Sequence, residues 1–192
     1  MSWIVKVGTL SSATSLTDEE LKNNAKEFAI YFKSKGATLE AICGMLGNIE
    51  RESQINPGLK ERESTSSGWG LIQWTPSTII TNYANSKGKQ WTDGELQCDK
   101  IMEEGSSSDW IPTSEYHYSW QEFLDLTDVN EATRAYEAER ERAGVVAMDD
   151  RLAYANKWFS YFSGSPLPPT PTPTPTKKKK KFPIWLMCKK RF

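Results

Sequence analysis

Two glutamates stand close together where a predicted apolar helix ends. Glu50 and Glu52 follow a stretch in which Leu39, Ile42 and Leu46 recur at the spacing of one helical face. Partial burial disfavours a charged carboxylate, so a group in such a place can hold a proton near neutral pH and act as a general acid. Two solvated side chains at a frayed helix end would show the same pattern, and this stretch alone leaves both interpretations open.

The helix that carries these carboxylates has recognisable limits. Thr38 can cap its first turn, and Pro57 disfavours helical geometry at Asn56, which predicts the end of the helix there. Gly44 and Gly47 lower the helix propensity of the same segment. Glycines inside a helix indicate that another element packs closely against that face.

A second stretch that could bind a ligand is aromatic and rich in glycine. The segment 67–76 contains Trp69, Gln73 and Trp74, and its part 71–74 is predicted to form a short strand. Flat aromatic faces can stack on sugar rings, and an amide can bond to sugar hydroxyls. The alternative is a hairpin whose tryptophans belong to the core.

Together the two stretches resemble the phage tail lysozyme family of peptidoglycan hydrolases. The matching segments are Ala41-Ile-Cys-Gly-Met-Leu-Gly-Asn48, Glu52-Ser53, Ile55-Asn-Pro-Gly58 and Gly70-Leu-Ile-Gln-Trp-Thr-Pro76, with Asn24-Ala25 upstream and Glu141-Arg142-Ala-Gly144 downstream. They cover roughly residues 8 to 162. The resemblance implies a mainly α-helical, lysozyme-like fold with a small β-hairpin. It also implies a glycosidase, an N-acetylmuramoyl hydrolase that cleaves the glycan strand of the bacterial cell wall.

The resemblance places the catalytic acid at Glu52. Helical spacing instead puts Glu50 on the apolar side, where it can favour the protonated form of Glu52 by like-charge repulsion. Glycoside hydrolysis usually needs a second carboxylate, and Glu50, Glu61 and Glu63 are candidates. The N-acetyl group of the substrate could replace that carboxylate, and so could intramolecular attack by the sugar, as in lytic transglycosylases.

Sugar binding is predicted in the segment that follows the catalytic helix. The expected substrate-binding residues are Trp69, Gly70, Gln73, Trp74 and Thr75. By the same resemblance, the Glu141-Arg142 pair borders or braces the cleft.

The other helices are predicted from caps and apolar spacing. They cover about residues 17–36, 77–86, 92–105, 120–126, 132–142 and 151–162. In the helix at 132–142, the alternating arginines and glutamates indicate a solvated, paired face.

Composition excludes several classes of function. The net charge is −1, but the segment from Ser163 onward carries +8, which leaves −9 on the preceding part and argues against a nucleic-acid ligand. The three cysteines, Cys43, Cys98 and Cys188, do not form a disulfide framework. Because His117 is the single histidine, zinc sites built on several histidines are excluded, and no metal or cofactor is predicted.

The sequence predicts three regions. Residues 1–162 form the catalytic domain, 163–176 a linker rich in proline and threonine, and 177–192 a disordered, basic and aromatic tail. The tail is predicted to anchor the protein to anionic wall polymers or to the membrane surface, although a solubilising tail would have the same composition. The anchoring residues would be Lys177, Lys178, Lys179, Lys180, Lys181 and Trp185.

The amino terminus shows no apolar core of a signal peptide. Action at the bacterial wall would therefore follow release for host lysis or delivery with a virion, where phage tail proteins would be partners. Two other classes stay open: a non-catalytic, wall-binding tail protein and a cationic, membrane-active protein.

Overall fold

The computed structural model describes residues 2–141, 147–165 and 167. Within these residues the fold is mainly helical, which confirms the predicted fold class. The α-helices are α1 Asp18–Ser34, α2 Leu39–Ser53, α3 Thr78–Ser86, α4 Gly94–Gly105, α5 Trp120–Leu124, α6 Val129–Tyr136 and α7 Met148–Gly164. A π-helix, Glu137–Glu141, directly continues α6, and two short strands are β1 Gly8–Thr9 and β2 Leu59–Lys60.

Helix α2 is the centre of the fold and is buried on most of its circumference. Its two glycines are the points where α6 and α7 come closest. A Cβ atom on Gly44 would lie 2.8 Å from the backbone of Ala132, and one on Gly47 would lie 2.4 Å from the carbonyl oxygen of Arg151. The prediction of close packing at these glycines is confirmed.

Local capping signals set the starts of the first two helices as predicted. Thr17 and Glu20 form a capping box at α1, and the Thr38 side chain accepts a hydrogen bond from the Ala41 amide at α2. Helix α2 ends at Ser53, before the predicted stop, because Gln54 adopts a left-handed conformation with φ of 54°.

The β structure is smaller than predicted. Strands β1 and β2 pair in parallel, with Gly8 opposite Leu59. Trp69 and Trp74 form an isolated antiparallel bridge, and the residues between them form a turn. The predicted strand at 71–74 is therefore wrong. Its backbone turns sharply, with positive φ at Gly70 and Gln73.

The carboxyl-terminal helices also differ from the prediction. Asp128 caps α6 as expected, but α6 ends at Tyr136 and passes into the π-helix instead of continuing to Arg142. Helix α7 begins at Met148, three residues before the predicted start. Arg142 lies outside the described residues. So do residues 168–192, which contain the predicted basic tail with its lysines and Trp185.

Two further observations bear on function. Cys43 and Cys98 are buried and free, and burial raises the pKa of the Cys43 thiol to about 12, which makes it an inert core residue. In the described part of the chain, no helix combines the length and the apolar character needed to cross a membrane.

Candidate active site

A cleft of about 900 Å³ opens between the end of α2, strand β2, the turn that ends at Trp74, helix α4 and the π-helix. Its described lining is strongly charged. The carboxylates are Glu52, Glu61, Glu104, Asp109 and Glu141, and the cations are Lys60, Lys100 and Arg140. The cleft therefore combines proton-exchanging groups with many polar atoms that could bind hydroxyl or amide groups.

Glu52 reaches this cleft from the last turn of α2 and is held there by Arg151. The Arg151 Nη2 atom donates a hydrogen bond of 2.6 Å to Glu52 Oε1. The guanidinium is 1% exposed and also donates to Asn48 Oδ1 at 2.9 Å, whereas the Glu52 side chain is 25% exposed. A buried arginine, itself hydrogen-bonded to Asn48, thus fixes the orientation of the Glu52 carboxylate, which stays partly exposed to solvent.

Glu50 points away from the cleft toward α7. Its oxygens accept hydrogen bonds from Trp158 Nε1, at 2.6 Å, and from Lys157 Nζ. The helical spacing correctly predicted that Glu50 is the more buried of the two glutamates. It lines a smaller depression beside the cleft that Glu52 also borders.

The other two candidates for a second carboxylate lie in the loop after β2. Glu61 lines the cleft, and hydrogen bonds from the Gly68 amide and from Arg62 lower the pKa of its carboxyl group. Glu63 is exposed, pairs with Lys60 at 2.6 Å and is not part of the cleft lining.

Three of the predicted substrate-binding residues line the cleft: Gln73, Trp74 and Thr75. Trp74 is buried, and its Nε1 atom donates to both carboxylate oxygens of Glu104 at 3.0 Å. The Gln73 amide donates to the Gly70 carbonyl at 2.7 Å, whereas Thr75 is exposed at the edge.

The other two predicted substrate-binding residues, Trp69 and Gly70, do not line the cleft. The Trp69 ring packs on Trp91, with 4.9 Å between the ring centroids. A Cβ atom on Gly70 would lie 2.8 Å from the side-chain oxygen of Gln97, so the backbone there is already covered. From their contacts we infer that Trp69 and Gly70 stabilise the turn that carries Gln73 and Trp74.

Glu104 is a central group of the site that the sequence analysis missed. Its side chain is 4% exposed and pairs with Arg140 at 2.5 Å and with Lys100 at 3.5 Å. Since these partners are distant in the chain or belong to an ordinary helical charge pattern, no local signal identifies Glu104 as part of a site.

The predicted solvated face in the helix at 132–142 is wrong. The alternating pattern there indicated a solvated face, but Glu137 and Glu139 are buried, and Arg140 reaches the cleft. The π-helix explains the difference, because its wider turn changes the direction in which successive side chains point.

Glu141 also lines the cleft, as the resemblance implied. The residue is half-buried, but its Oε1 atom is inaccessible and has no hydrogen-bond partner within the described structure. Burial raises the pKa of the Glu141 carboxyl group to about 7, the positive charge of Arg140 opposes this increase, and the negative charge of Glu52 adds to it. Besides Glu52, the cleft thus holds Glu141, a carboxyl group whose proton affinity is increased.

A family model described as phage tail lysozyme matches residues 23–162, which is most of the chain. The chain belongs to the phage tail lysozyme family. The matched residues include every carboxylate in the described lining of the cleft.

A curated relative is Morphogenesis protein 1 of Bacillus phage B103. It is 34% identical over 154 residues, which correspond to 78% of this chain and 42% of the relative. The chain therefore spans less than half the length of that protein, so the similarity concerns only one part of it.

Proposed function

We propose that the protein is a lysozyme-type glycosidase that cleaves the glycan strand of bacterial peptidoglycan, with Glu52 as the catalytic acid. The observation that carries this proposal is the position of Glu52. In a chain of the phage tail lysozyme family, it is the carboxylate at the end of the central helix that is both fixed by a buried arginine and open to a large cleft.

The contacts of Glu52 fit proton donation to a leaving group. Protonated Glu52 gives its proton to the glycosidic oxygen as the bond from this oxygen to the sugar carbon breaks. The reaction leaves a carboxylate, whose negative charge Arg151 stabilises through the hydrogen bond of 2.6 Å. Because Arg151 is already oriented by Asn48, little reorganisation is needed when the charge develops.

The opposite part of the cleft supplies contacts for the sugars. Trp74 contributes part of a buried indole, Gln73 an amide and Thr75 a hydroxyl group. Lys60 and Lys100 add donors for acetamido or lactyl oxygens of the wall glycan. A cleft of about 900 Å³ is at the upper end of the range for small-molecule sites.

Clearing of purified peptidoglycan by the full chain and by Glu52→Gln tests this proposal. Removing a general acid is expected to lower the rate about a hundredfold or more. Glu19→Gln is the matched control, because it makes the same chemical change on the exposed face of α1. Unaltered clearing by Glu52→Gln, with the same fragments, would disprove the assignment.

Mass analysis of the fragments separates two reactions on the same bond. Reducing sugar ends indicate attack by water, hence a hydrolase. Anhydro sugar ends indicate attack by a hydroxyl group of the sugar itself, as in a lytic transglycosylase.

A second candidate function is non-catalytic binding to the wall as part of a virion. The name of the relative, Morphogenesis protein 1, favours a role in phage assembly for that protein. In this case the chain would act at the cell wall within a phage tail and have tail proteins as partners. Sedimentation with insoluble peptidoglycan that releases no soluble fragments would support this function over the glycosidase.

The basic tail would hold either kind of protein at an anionic surface. Each lysine contributes about 1 kcal/mol near such a surface, and salt screens this attraction. Replacing Lys177–Lys181 by glutamine should weaken binding to whole walls and make it less sensitive to salt, without changing the cleavage of soluble glycan. If the wild type and this variant bind whole walls equally well at low salt, the tail is not an anchor.

A further inference from the structure

Glu141 reaches the same cleft as Glu52 from a different element. It is the last residue of the π-helix, whereas Glu52 belongs to α2. Its Oε1 atom is buried and accepts no hydrogen bond from the described residues, although buried carboxylate oxygens are normally paired. An unpaired oxygen beside a catalytic cleft suggests a group kept ready for a proton.

The titratable groups around Glu141 lie on the π-helix and on three α-helices. They are Glu52 on α2, Arg151 on α7, Tyr136 on α6, and Glu137 and Arg140 on the π-helix itself. Burial and the charge of Glu52 raise the pKa of Glu141, and the two arginines oppose them, which places it at about 7. A base with this proton affinity is well matched to neutral pH.

The other carboxylates of the cleft are less suited to that task. Hydrogen bonds to the Glu61 carboxylate lower its pKa and so weaken it as a base. Glu104 is occupied by Trp74 and Arg140. Asp109 is exposed and accepts a hydrogen bond from the Ser107 hydroxyl group. Glu141 is therefore the carboxylate of the cleft with both an unpaired oxygen and an increased proton affinity.

We propose that Glu141 is the general base of the reaction and removes a proton from the water that attacks the sugar. The inference rests on the proposed glycosidase function and names its second carboxylate. In the productive state Glu52 carries a proton and Glu141 does not. Arg151 favours the ionised form of Glu52 and burial favours the protonated form of Glu141, so this state is the less populated of the two ways in which the pair holds one proton.

The bonds and protons of the proposed step balance between the glycan, one water molecule, Glu52 and Glu141. The bond between the anomeric carbon and the glycosidic oxygen breaks, and this oxygen takes the proton of Glu52. A bond forms between the same carbon and the water oxygen, and the water proton passes to Glu141. Transfer of that proton from Glu141 back to Glu52, directly or through solvent, restores the starting state.

The test measures release of reducing ends from purified peptidoglycan by the full chain between pH 5 and pH 9. Glu141→Gln, Glu141→Ala, Glu61→Gln and Glu52→Gln are compared with the control Glu19→Gln. We expect each Glu141 variant to lose about a hundredfold or more in rate, as for removal of a general base. Wild-type activity should fall as the pH increases through about 7, because the pair then loses the one proton that it shares and Glu52 has none to donate. The Glu141 variants, which keep only the Glu52 carboxyl group of the pair, should lack a fall at this pH.

Chemical rescue distinguishes a base from a structural residue. In Glu141→Ala, added formate or azide can occupy the vacated space and should partly restore cleavage, whereas Glu141→Gln should not respond. Thermal unfolding of each variant shows whether it is folded. Because glutamine mimics the protonated carboxyl group in size and charge, Glu141→Gln should remain folded.

The outcomes separate this inference from the function on which it rests. If Glu52→Gln is inactive but Glu141→Gln keeps the wild-type rate and pH profile, Glu141 is not the base and the glycosidase proposal stands. Loss of activity in folded Glu141→Ala without rescue by either anion would also overturn the role as base, and anhydro products would overturn the attack by water. If the wild-type chain releases no fragments, the glycosidase proposal and this inference fail together.

Discussion

Glu139 leads to a prediction about the dependence of stability on pH. Its side chain is 0% exposed, and only one of its two oxygens has a partner in the described structure, the Tyr118 amide at 3.0 Å. Burial raises the pKa of this carboxyl group to about 7, the hydrogen bond from Tyr118 opposes the increase, and the negative charge of Glu122 adds to it. The native state therefore favours protonated Glu139.

The sign of the effect follows from proton binding. Between the ordinary pKa of 4.5 and the folded value of about 7, the native state binds more protons than the unfolded state, so stability falls as the pH rises. One pKa unit is worth about 1.4 kcal/mol, so the full loss is roughly 3 kcal/mol. For a domain of this size it would lower the melting temperature by roughly 6–12 °C.

Glu139→Gln removes the titrating group and keeps an oxygen that can accept the hydrogen bond from Tyr118. Thermal unfolding followed by circular dichroism at pH 5 and pH 8 should show a smaller decrease for this variant than for the wild type. Glu141 titrates in the same range, so the informative quantity is the difference between the two proteins. Glu19→Gln should follow the wild type, and parallel curves for Glu139→Gln would refute the reasoning.

Three further substitutions test contacts around the site. Gly47→Ala should lower the free energy of unfolding by about 1–3 kcal/mol in denaturant titrations, because its Cβ would collide with the Arg151 carbonyl; wall cleavage should fall as well. Glu104→Gln should cost roughly 3 kcal/mol, measured by tryptophan fluorescence during unfolding, since a largely buried arginine loses its charged partner. Glu50→Gln still accepts from Trp158, so its stability should change by less than about 1 kcal/mol and wall cleavage should persist. A loss of activity in a stable Glu50→Gln variant would return Glu50 to the catalytic candidates.

Some features of the fold depend on neighbours in the sequence, and these could be predicted. Thr17 and Thr38 cap their helices through atoms three residues away, so the pattern alone identifies them. Gly44 and Gly47 signalled close packing because a glycine inside a helix has a local cost that something must offset. The position of Glu52 at the end of an apolar helix belongs to the same class of information.

Other features depend on pairs that are distant in the chain. Arg151 and Glu52 are 99 residues apart, and Trp74 and Glu104 are 30 apart. No spacing rule links such residues, so the arginine that holds Glu52 and the buried carboxylate below Trp74 emerged only from the structure. Alternating charge in the segment before Arg142 was misleading for a related reason, since burial of Glu139 depends on how the chain packs and not on its sequence pattern.

The π-helix lets the chain hold one additional residue without changing the direction of the residues that follow. An α-helix closes a hydrogen-bonded turn over four residues, whereas a π-helix closes it over five. A deletion of Ala138 that restored ordinary α-helical geometry would therefore leave Glu141 pointing in nearly the same direction relative to α6. Conversion of the same residues to an α-helix without a deletion would instead turn Glu141 away from its present direction, so the length of this segment and its helix type must change together.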